Sequence, residues 1–292
     1  MIPIPSRLTK EYGARGPLHE FRFAESVSFH CFRCGASKKS KLIAIYLEDW
    51  ERRLCNGCYG YLLSIYAIKA SSEPDEEKAN QLASVLLSVL ARDDLRRHES
   101  LLLVAENRAK LLSKRSLRFL VTAEYVATAF EGMTGLDWSA AVIGLCKAVE
   151  VETVERILGP TARELNSSGA TPGEGDRDLR RVSRFCKDPG AKAPELGTVA
   201  YFLNVVITDQ QRRTSSPLVG GFLKAARSWE GSGWVLAPNG LRQSLSILAS
   251  DYRNPSAHTE EIREAQYLAC KDLVLGTQEI LWRLVAATKV HK

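Results

Sequence analysis

Four cysteines in two close pairs constrain this chain more than any other feature of its sequence. They are Cys31, Cys34, Cys55 and Cys58, in the pattern C-x2-C-x20-C-x2-C. Each Cys-x-x-Cys turn places two sulfur atoms beside one metal ion, and the segment between the pairs must leave and return. Zinc bound by four thiolates satisfies this pattern and leaves no open position for chemistry. We therefore predict a structural zinc ion held by these four ligands.

The residues around the cysteines predict a β-hairpin followed by a helix. Leu42 to Leu47 is apolar and strand-like, Glu48-Asp49 can turn, and Trp50 to Leu54 leads to the second pair. The apolar and aromatic run YGYLLSIYAIKA then predicts a short helix. This arrangement resembles a treble-clef zinc finger, and Leu54 to Leu62 is similar to the second knuckle of GATA-type fingers. The resemblance implies zinc ligation.

Charge leaves the role of this module open. Residues 1–70 contain eleven Lys or Arg and six Asp or Glu, with Lys38, Lys39 and Lys41 in the hairpin. Four thiolates on one zinc ion add two net negative charges, so the module is only modestly basic. We expect a folding or docking role, in which zinc replaces a core too small to hold itself. Nucleic-acid contact is the alternative.

The bulk properties are those of an ordinary globular protein. The chain has 292 residues, of which 45% are hydrophobic and 25% charged, and its formal net charge is +6. These proportions exclude a disordered or fibrous protein, and the small positive charge fits either a polyanionic partner or a solvated surface. We find no signal-peptide core and no run of membrane length, so we expect a soluble, cytoplasmic protein. Cys146, Cys186 and Cys270 are predicted to be buried thiols.

Beyond residue 70 the sequence predicts a helical body. The polar segment 71–77 marks a boundary, which divides the chain into a zinc module at 1–70, a helical connector at 71–133 and a helical domain at 134–292. Residues 77–130 lack proline and glycine, which predicts two packed helices. Two basic groups recur at helical spacing and fit either phosphates or, more commonly, a solvated face. They are Lys110, Lys114 and Arg118, and Arg177, Arg180, Arg184 and Lys187.

Two helices separated by a proline are predicted near the carboxyl end. Leu241 to Tyr252 has helical periodicity, and Pro255 is expected to end that helix because proline lacks an amide hydrogen and disfavours helix at the residue before it. Thr259 is expected to cap the last helix, with Glu260 and Glu261 in its first turn. The free backbone amides of such a helix start favour a phosphate.

Arg253 and His258 flank this junction in an R-x4-H pattern, with Asn254 after the arginine. The pattern, and its place before the last long helix, resemble the HEPN superfamily. The helix that contains Lys147 and Glu150 is similar to the earlier HEPN helix whose polar residue faces the motif. The resemblance covers residues 134–288 and implies a mainly α HEPN-like helical bundle.

The HEPN resemblance implies a metal-independent endoribonuclease that is active as a homodimer, in proteins that are often toxins or antiviral defence effectors. It implies that Arg253 stabilises the charge at phosphorus, that His258 is the acid or base, and that Asn254 orients the pair. Lys147 and Glu150 would support the site. RNA would be the substrate, and zinc would take no chemical part.

Other interpretations of the same residues stay open. Arg253 and His258 occur at helix ends for capping and dipole reasons alone, with Asp251 or Glu260 as carboxylate partners for the arginine. The chain would then be a non-catalytic nucleic-acid-binding or protein adaptor that works through its zinc finger and basic helical faces. A protein-binding scaffold is a third expectation. No phosphate-binding glycine loop, nucleophilic serine motif or open metal site supports another enzyme class.

Overall fold

The computed structural model describes residues 7–88, 92–131, 136–169, 175–188, 190–258 and 261–290, without the side chains of 86–88 and 92–95. Within these residues the protein is mainly α-helical, with an antiparallel four-stranded sheet at the amino-terminal end that carries the four cysteines. The predicted fold class, a mainly α chain with a small cysteine-bearing module, is confirmed. Among the described helices, none is both long enough and apolar enough to span a bilayer.

The sheet contains the predicted hairpin and two further strands. Its order follows the sequence: β1 (Leu8–Glu11), β2 (Leu18–His30), β3 (Ser37–Tyr46) and β4 (Asp49–Leu54). The turn between β3 and β4 is made by Leu47 and Glu48, whose φ angles of 55° and 57° suit a tight hairpin turn. Strands β1 and β2 are not predicted by the local sequence pattern. In β2 the pairing register shifts between Arg22 and Val27, so no single alternation of apolar residues runs through this strand.

The two faces of the sheet serve different purposes. One face forms a small core of its own from Phe21, Phe23, Phe29, Ile43 and Ile45. The other face joins the main core of the protein, to which it contributes Leu18, Ala44, Tyr46 and Leu54. The module therefore has a small hydrophobic core of its own and also contributes residues to the core of the helical body.

Fifteen α-helices occur in the part of the chain that the structure describes, together with one 3-10 segment and two π-helical segments. The helices are α1 (Asn56–Lys69), α2 (Asp75–Ser88), α3 (Arg92–Ala105), α4 (Lys114–Phe130), α5 (Ser139–Thr153), α6 (Gly159–Ser167), α7 (Arg177–Lys187), α8 (Leu196–Thr208), α9 (Gln210–Ser215), α10 (Pro217–Ala226), α11 (Ser232–Leu236), α12 (Leu241–Ile247), α13 (Asn254–Ala257), α14 (Glu264–Leu275) and α15 (Ile280–Ala287). The 3-10 segment is Asn107–Leu111, and the π segments are Val154–Leu158 and Leu248–Arg253.

Helix α5 is the centre of the body, and every one of its residues is buried. It packs against α2, α4, α14 and α15. At its start, Asp137 accepts a hydrogen bond from the Ser139 amide at 3.0 Å. The helix continues past Pro160 into α6, because the π segment Val154–Leu158 widens it just before the proline.

The region between 77 and 130 differs from the predicted pair of helices. It contains α2, α3 and α4, and a 3-10 segment separates the last two. Lys110 lies in that 3-10 segment, whereas Lys114 and Arg118 lie on α4, so these three residues do not share one helix face. The chain turns here because the Ser113 hydroxyl caps α4 by accepting the Ser116 amide at 3.1 Å.

The proline near the carboxyl end does not interrupt the helix as predicted. The chain stays helical from Leu241 to Ala257, and the π segment Leu248–Arg253 comes just before Pro255. A wider turn moves the preceding carbonyls away from the proline ring, which removes the clash that would otherwise kink the helix. The next helix begins at Glu264, so Glu261 lies before it rather than in its first turn. Thr259 and Glu260 lie outside the described residues.

Candidate functional site

The four paired cysteines come together as the sequence predicts. Their sulfur atoms all lie within 4.8 Å of one another, and the Sγ atoms of Cys34 and Cys55 are 3.9 Å apart. Zinc with four sulfur ligands at about 2.3 Å requires sulfur atoms about 3.8 Å apart. The cluster therefore fits a metal site, and its four thiol donors favour zinc.

Local backbone geometry explains how the two pairs converge. After β2, a tight turn in which the Gly35 amide donates to the Cys31 carbonyl at 2.8 Å brings Cys34 back beside Cys31. Gly35 has a φ of +67°, which favours glycine. The second pair lies at the start of α1, where the Cys55 amide donates to the Cys31 sulfur at 3.3 Å.

Hydrogen bonds favour a thiolate at the cluster. The Cys58 thiol and neighbouring backbone amides lower the pKa of Cys31 to about 4. The same contact raises the pKa of Cys58, because that thiol donates to Cys31. The guanidinium of Arg33 lies 3.5 Å from the Cys58 sulfur and 4.2 Å from the centroid of the Tyr61 ring. A cation in this position offsets the negative charge that four thiolates leave on one divalent ion.

A polar junction attaches the cysteine module to the segment that follows His258. The Tyr46 hydroxyl donates to the Glu261 carboxylate at 3.0 Å, and burial raises the pKa of Tyr46 above its usual value. Lys69, which is buried at the end of α1, donates to Asp137 at 2.9 Å. Asp137 in turn accepts the Ile262 amide at 3.1 Å. Strand β3 and helix α1 thus both hold residues 261 and 262 in place.

Arg253 lies inside the protein, with 1% of its surface exposed. Its Nη1 atom donates to the Asn254 side chain at 3.2 Å and to Glu195 at 3.5 Å. Glu195 is the one carboxylate among the described residues that pairs with Arg253, and Asp251 does not. The Nε and Nη2 atoms are buried and have no hydrogen-bond partner among the described residues. A phosphate therefore does not reach Arg253 in this conformation.

His258 lies at the surface where α13 ends. About half of its side chain is exposed, and its Nε2 atom is 3.2 Å from the carboxylate of Asp75, at the start of α2. A carboxylate in this position orients an imidazole. Of Arg253, Asn254 and His258, only His258 combines exposure with a carboxylate partner.

A pair of carboxyl groups connects α2 to Arg253. Glu76 is hydrogen-bonded to Glu195, the carboxylate that contacts Arg253. Burial, followed by this contact with Glu195, raises the pKa of Glu76 to about 7. Asp75 and Glu76 are neighbours in the sequence, so the first turn of α2 supplies one carboxylate to His258 and one carboxyl group to the partner of Arg253.

Lys147 and Glu150 form a buried ion pair at 2.7 Å on α5. Lys147 also donates to the Asn80 side chain at 2.7 Å, which ties α5 to α2. Both residues line a cavity of about 490 Å³, which also includes Glu76 and the aromatic rings of Phe119 and Phe185. Lys147 and Glu150, the predicted supporting residues, thus lie beside α2, one helical turn from Glu76.

Sequence reasoning missed Asp75, Glu76 and Glu195. Asp75 and Glu76 lie in the polar segment 71–77, which predicts only a boundary, and carboxylates are common at helix starts because they favour the helix dipole. Glu195 precedes α8 by one residue and lies 58 positions before Arg253 in the sequence. No spacing rule joins residues that far apart, so only the tertiary structure brings them together.

Comparison with known proteins identifies no relative. No family model, no curated protein and no solved structure matches this chain. The function must therefore be argued from the site itself.

Proposed function

We propose that this chain is a metal-independent endoribonuclease in which His258 is the acid–base group and Asp75 holds its imidazole. The contact that carries the proposal is the 3.2 Å approach of the His258 Nε2 atom to Asp75 at an exposed helix end. Imidazole titrates near neutral pH and can both accept and return a proton. The R-x4-H resemblance supplies the choice of RNA as substrate.

The reaction needs one base and one acid. The base takes the proton of a ribose 2′-hydroxyl, the 2′-oxygen attacks phosphorus, and the bond from phosphorus to the 5′-oxygen breaks. The acid then protonates the leaving 5′-oxygen, and the product ends in a 2′,3′-cyclic phosphate. One histidine cannot lie on both sides of the phosphorus at once. The proposal therefore includes a homodimer, in which His258 of one protomer is the base and its copy in the second protomer is the acid.

Arg253 takes a positioning role in this proposal. Arg253 is buried and contacts Asn254 and Glu195. These contacts support a role in which Arg253 stabilises the helix end that presents His258 and does not bind the phosphate. Lys147 and Glu150 support α2, from which Asp75 reaches the histidine. Zinc bound by Cys31, Cys34, Cys55 and Cys58 is proposed to be structural, because four protein sulfur atoms leave no position for a substrate.

The test is cleavage of an unstructured RNA by the full-length chain in EDTA, with zinc content measured before and after. We expect cleavage in the absence of free divalent ions, and a rate at least ~100-fold lower for His258→Ala. Asp75→Asn should lower the rate about 10-fold, because the imidazole loses its orientation. The matched control is His19→Ala, since His19 also lies beside a carboxylate, Glu48, at 3.5 Å. Equal rates for wild type and His258→Ala would remove the proposal.

A non-catalytic role in nucleic-acid binding is the second candidate, and one observation favours it. Lys38, Lys39 and Lys41 are all exposed on β3 beside the cysteine cluster. If the module binds nucleic acid, changing these lysines to glutamate should abolish binding while His258→Ala leaves it unchanged, and no cleavage should occur. RNA cleavage that depends on His258 would favour the nuclease instead.

A further inference from the structure

The outer face of α7 carries a dense row of cations. Arg177, Arg180, Arg181, Arg184 and Lys187 are all exposed. At 3.6 residues per turn these five positions fall within an arc of about 120°, and the row from Arg177 to Lys187 is about 15 Å long. The opposite face is anchored in the core by Leu179, Val182, Phe185 and Cys186. The cations are thus presented on one side of a fixed helix.

Most of this positive charge has no partner. Arg181 lies 3.5 Å from Asp178, but Arg177, Arg180, Arg184 and Lys187 form no ion pair with any described residue. The nearby carboxylates are already engaged. Asp176 accepts the Leu179 amide at 3.0 Å and the Tyr201 hydroxyl at 3.0 Å, and Asp188 accepts the Gly190 amide at 2.9 Å. Four cations therefore remain uncompensated along one helix.

We propose that this α7 face binds the phosphodiester backbone of single-stranded RNA. A row of cations about 15 Å long can contact several successive phosphates of one strand. A membrane surface fits less well, because membrane-binding amphipathic helices insert an exposed apolar face, and the apolar face of α7 is buried. The inference rests on the proposed function for the choice of RNA over other polyanions, and it names the surface that holds that RNA.

The position of α7 suits this role. Its last residue, Lys187, is eight residues before Glu195, which contacts Arg253. A fully extended segment of that length spans at most about 28 Å. This length sets an upper limit on the distance from the α7 cations to Glu195, the partner of Arg253.

The test is binding of a fluorescent single-stranded RNA to the full-length chain at several salt concentrations. For four phosphate contacts we expect the logarithm of affinity to fall with the logarithm of salt concentration with a slope of about −3. The variant Arg177→Glu, Arg180→Glu, Arg184→Glu should bind at least ~10-fold more weakly, with a slope reduced to about −1. Thermal unfolding of the variant checks that the exposed substitutions leave the fold intact, and a glutamine version of the same triple variant separates lost contacts from added repulsion.

A matched control separates local contacts from net charge. The control is a triple variant with the same change in net charge at exposed positions on three other parts of the chain, Arg7→Glu, Arg227→Glu and Lys289→Glu. This control should keep most of the RNA affinity. Equal loss in both triple variants, unchanged binding by the α7 variant, or no RNA binding by the wild type at low salt would each overturn the inference. If the protein binds single-stranded DNA as tightly as single-stranded RNA, the inference is limited to phosphate binding and the choice of RNA is overturned.

The same experiment distinguishes this inference from the nuclease proposal. RNA binding is the measurement for the α7 face, and RNA cleavage is the measurement for His258, so the two proposals have separate readouts. Binding through α7 without cleavage by the wild type would remove the nuclease and keep the surface. Cleavage that depends on His258 and is unaffected by the α7 variant would keep the nuclease and remove the α7 surface.

Discussion

The residues around Arg253 form a chain of charged groups that extends from the interior to the cavity. Arg253 contacts Glu195, Glu195 shares a hydrogen bond with Glu76, and Glu76 lies 3.3 Å from the exposed Lys192. Two carboxyl groups this close avoid bearing two negative charges together, so one of them holds a proton near neutral pH. This arrangement predicts a pH dependence of stability.

Glu76→Gln should flatten the pH dependence of stability between about pH 4.5 and pH 7. The pKa of Glu76 is raised from 4.5 to about 7 in the folded protein. The folded state therefore binds more protons than the unfolded state in this range, and the free energy of unfolding falls as pH rises through it. The amide keeps the shape of the neutral acid, so at pH 8 the variant should be about 1–2 kcal/mol more stable than wild type. Urea unfolding at several pH values measures this.

Glu77→Gln is the control for the Glu76 prediction, because Glu77 is the partly exposed neighbour on the same helix turn. Its pH profile should match that of the wild type. A wild-type stability that stays level or rises from pH 5 to pH 7 would contradict the prediction.

Arg253→Ala should destabilise the protein by about 2–4 kcal/mol. The change leaves Glu195 without its cation and creates a void where a long side chain was buried. Arg180→Ala, at an exposed position on α7, should change stability by less than about 0.5 kcal/mol. Urea unfolding of both variants measures the difference. A small effect at Arg253 would show that its role is not structural.

Two helices of this protein pass through a proline without a break. In both cases a π segment precedes the proline, before Pro160 and before Pro255. The extra backbone residue in a π turn removes the steric conflict, and it also changes the direction of the side chains that follow. Arg253 ends one of these segments, so the local widening of the helix helps to direct that side chain inward.

The contact between β3 and the segment after His258 is testable with Tyr46→Phe. Phenylalanine keeps the buried ring and removes only the hydrogen bond to Glu261, so the cost should be about 1 kcal/mol. Amide exchange of the peptide that contains residues 261–263 should become faster, while exchange in α5 should not change. Mass spectrometry of exchanged peptides measures this. Tyr59→Phe is the control on the same module, and equal exchange in both variants would show that the contact does not hold the segment.

At the scale of the whole molecule, the cysteine module and the helical body share one hydrophobic core. A single cluster of buried residues includes Cys31, Leu54 and Tyr61 from the module and Leu82 and Val142 from the body. The boundaries at residues 70 and 133 stay predictions. A shared core predicts cooperative unfolding.

Cys55→Ser should lower the midpoint of thermal unfolding by about 10 °C or more, in one transition for the entire chain. Loss of a ligand weakens metal binding, and the binding free energy of a structural zinc ion contributes to folding. Calorimetry with measurement of bound zinc provides the test. Cys270→Ala is the control, because this cysteine is buried in the body, away from the cluster, and its change should leave the zinc content as it was. Two separate transitions, with the second unchanged in Cys55→Ser, would contradict a shared core.

Local patterns in the sequence determined the elements whose cause is local. The spacing of four cysteines predicts their convergence, because short turns fix where the sulfur atoms point. The β3–β4 hairpin and helix α1 follow from the apolar patterns beside the cysteines. These features need only a few neighbouring residues, and the structure confirms them.

Only the tertiary structure decided the environment of the R-x4-H residues. The sequence placed Arg253 and His258 together at a helix junction, but burial is a property of everything packed around a residue. Glu195, 58 positions away, and Asp75, at the start of α2, determine which of the two residues faces the interior and which faces solvent. Long-range contacts of this kind leave no periodic trace in the sequence, because each partner is separately an ordinary surface or cap residue.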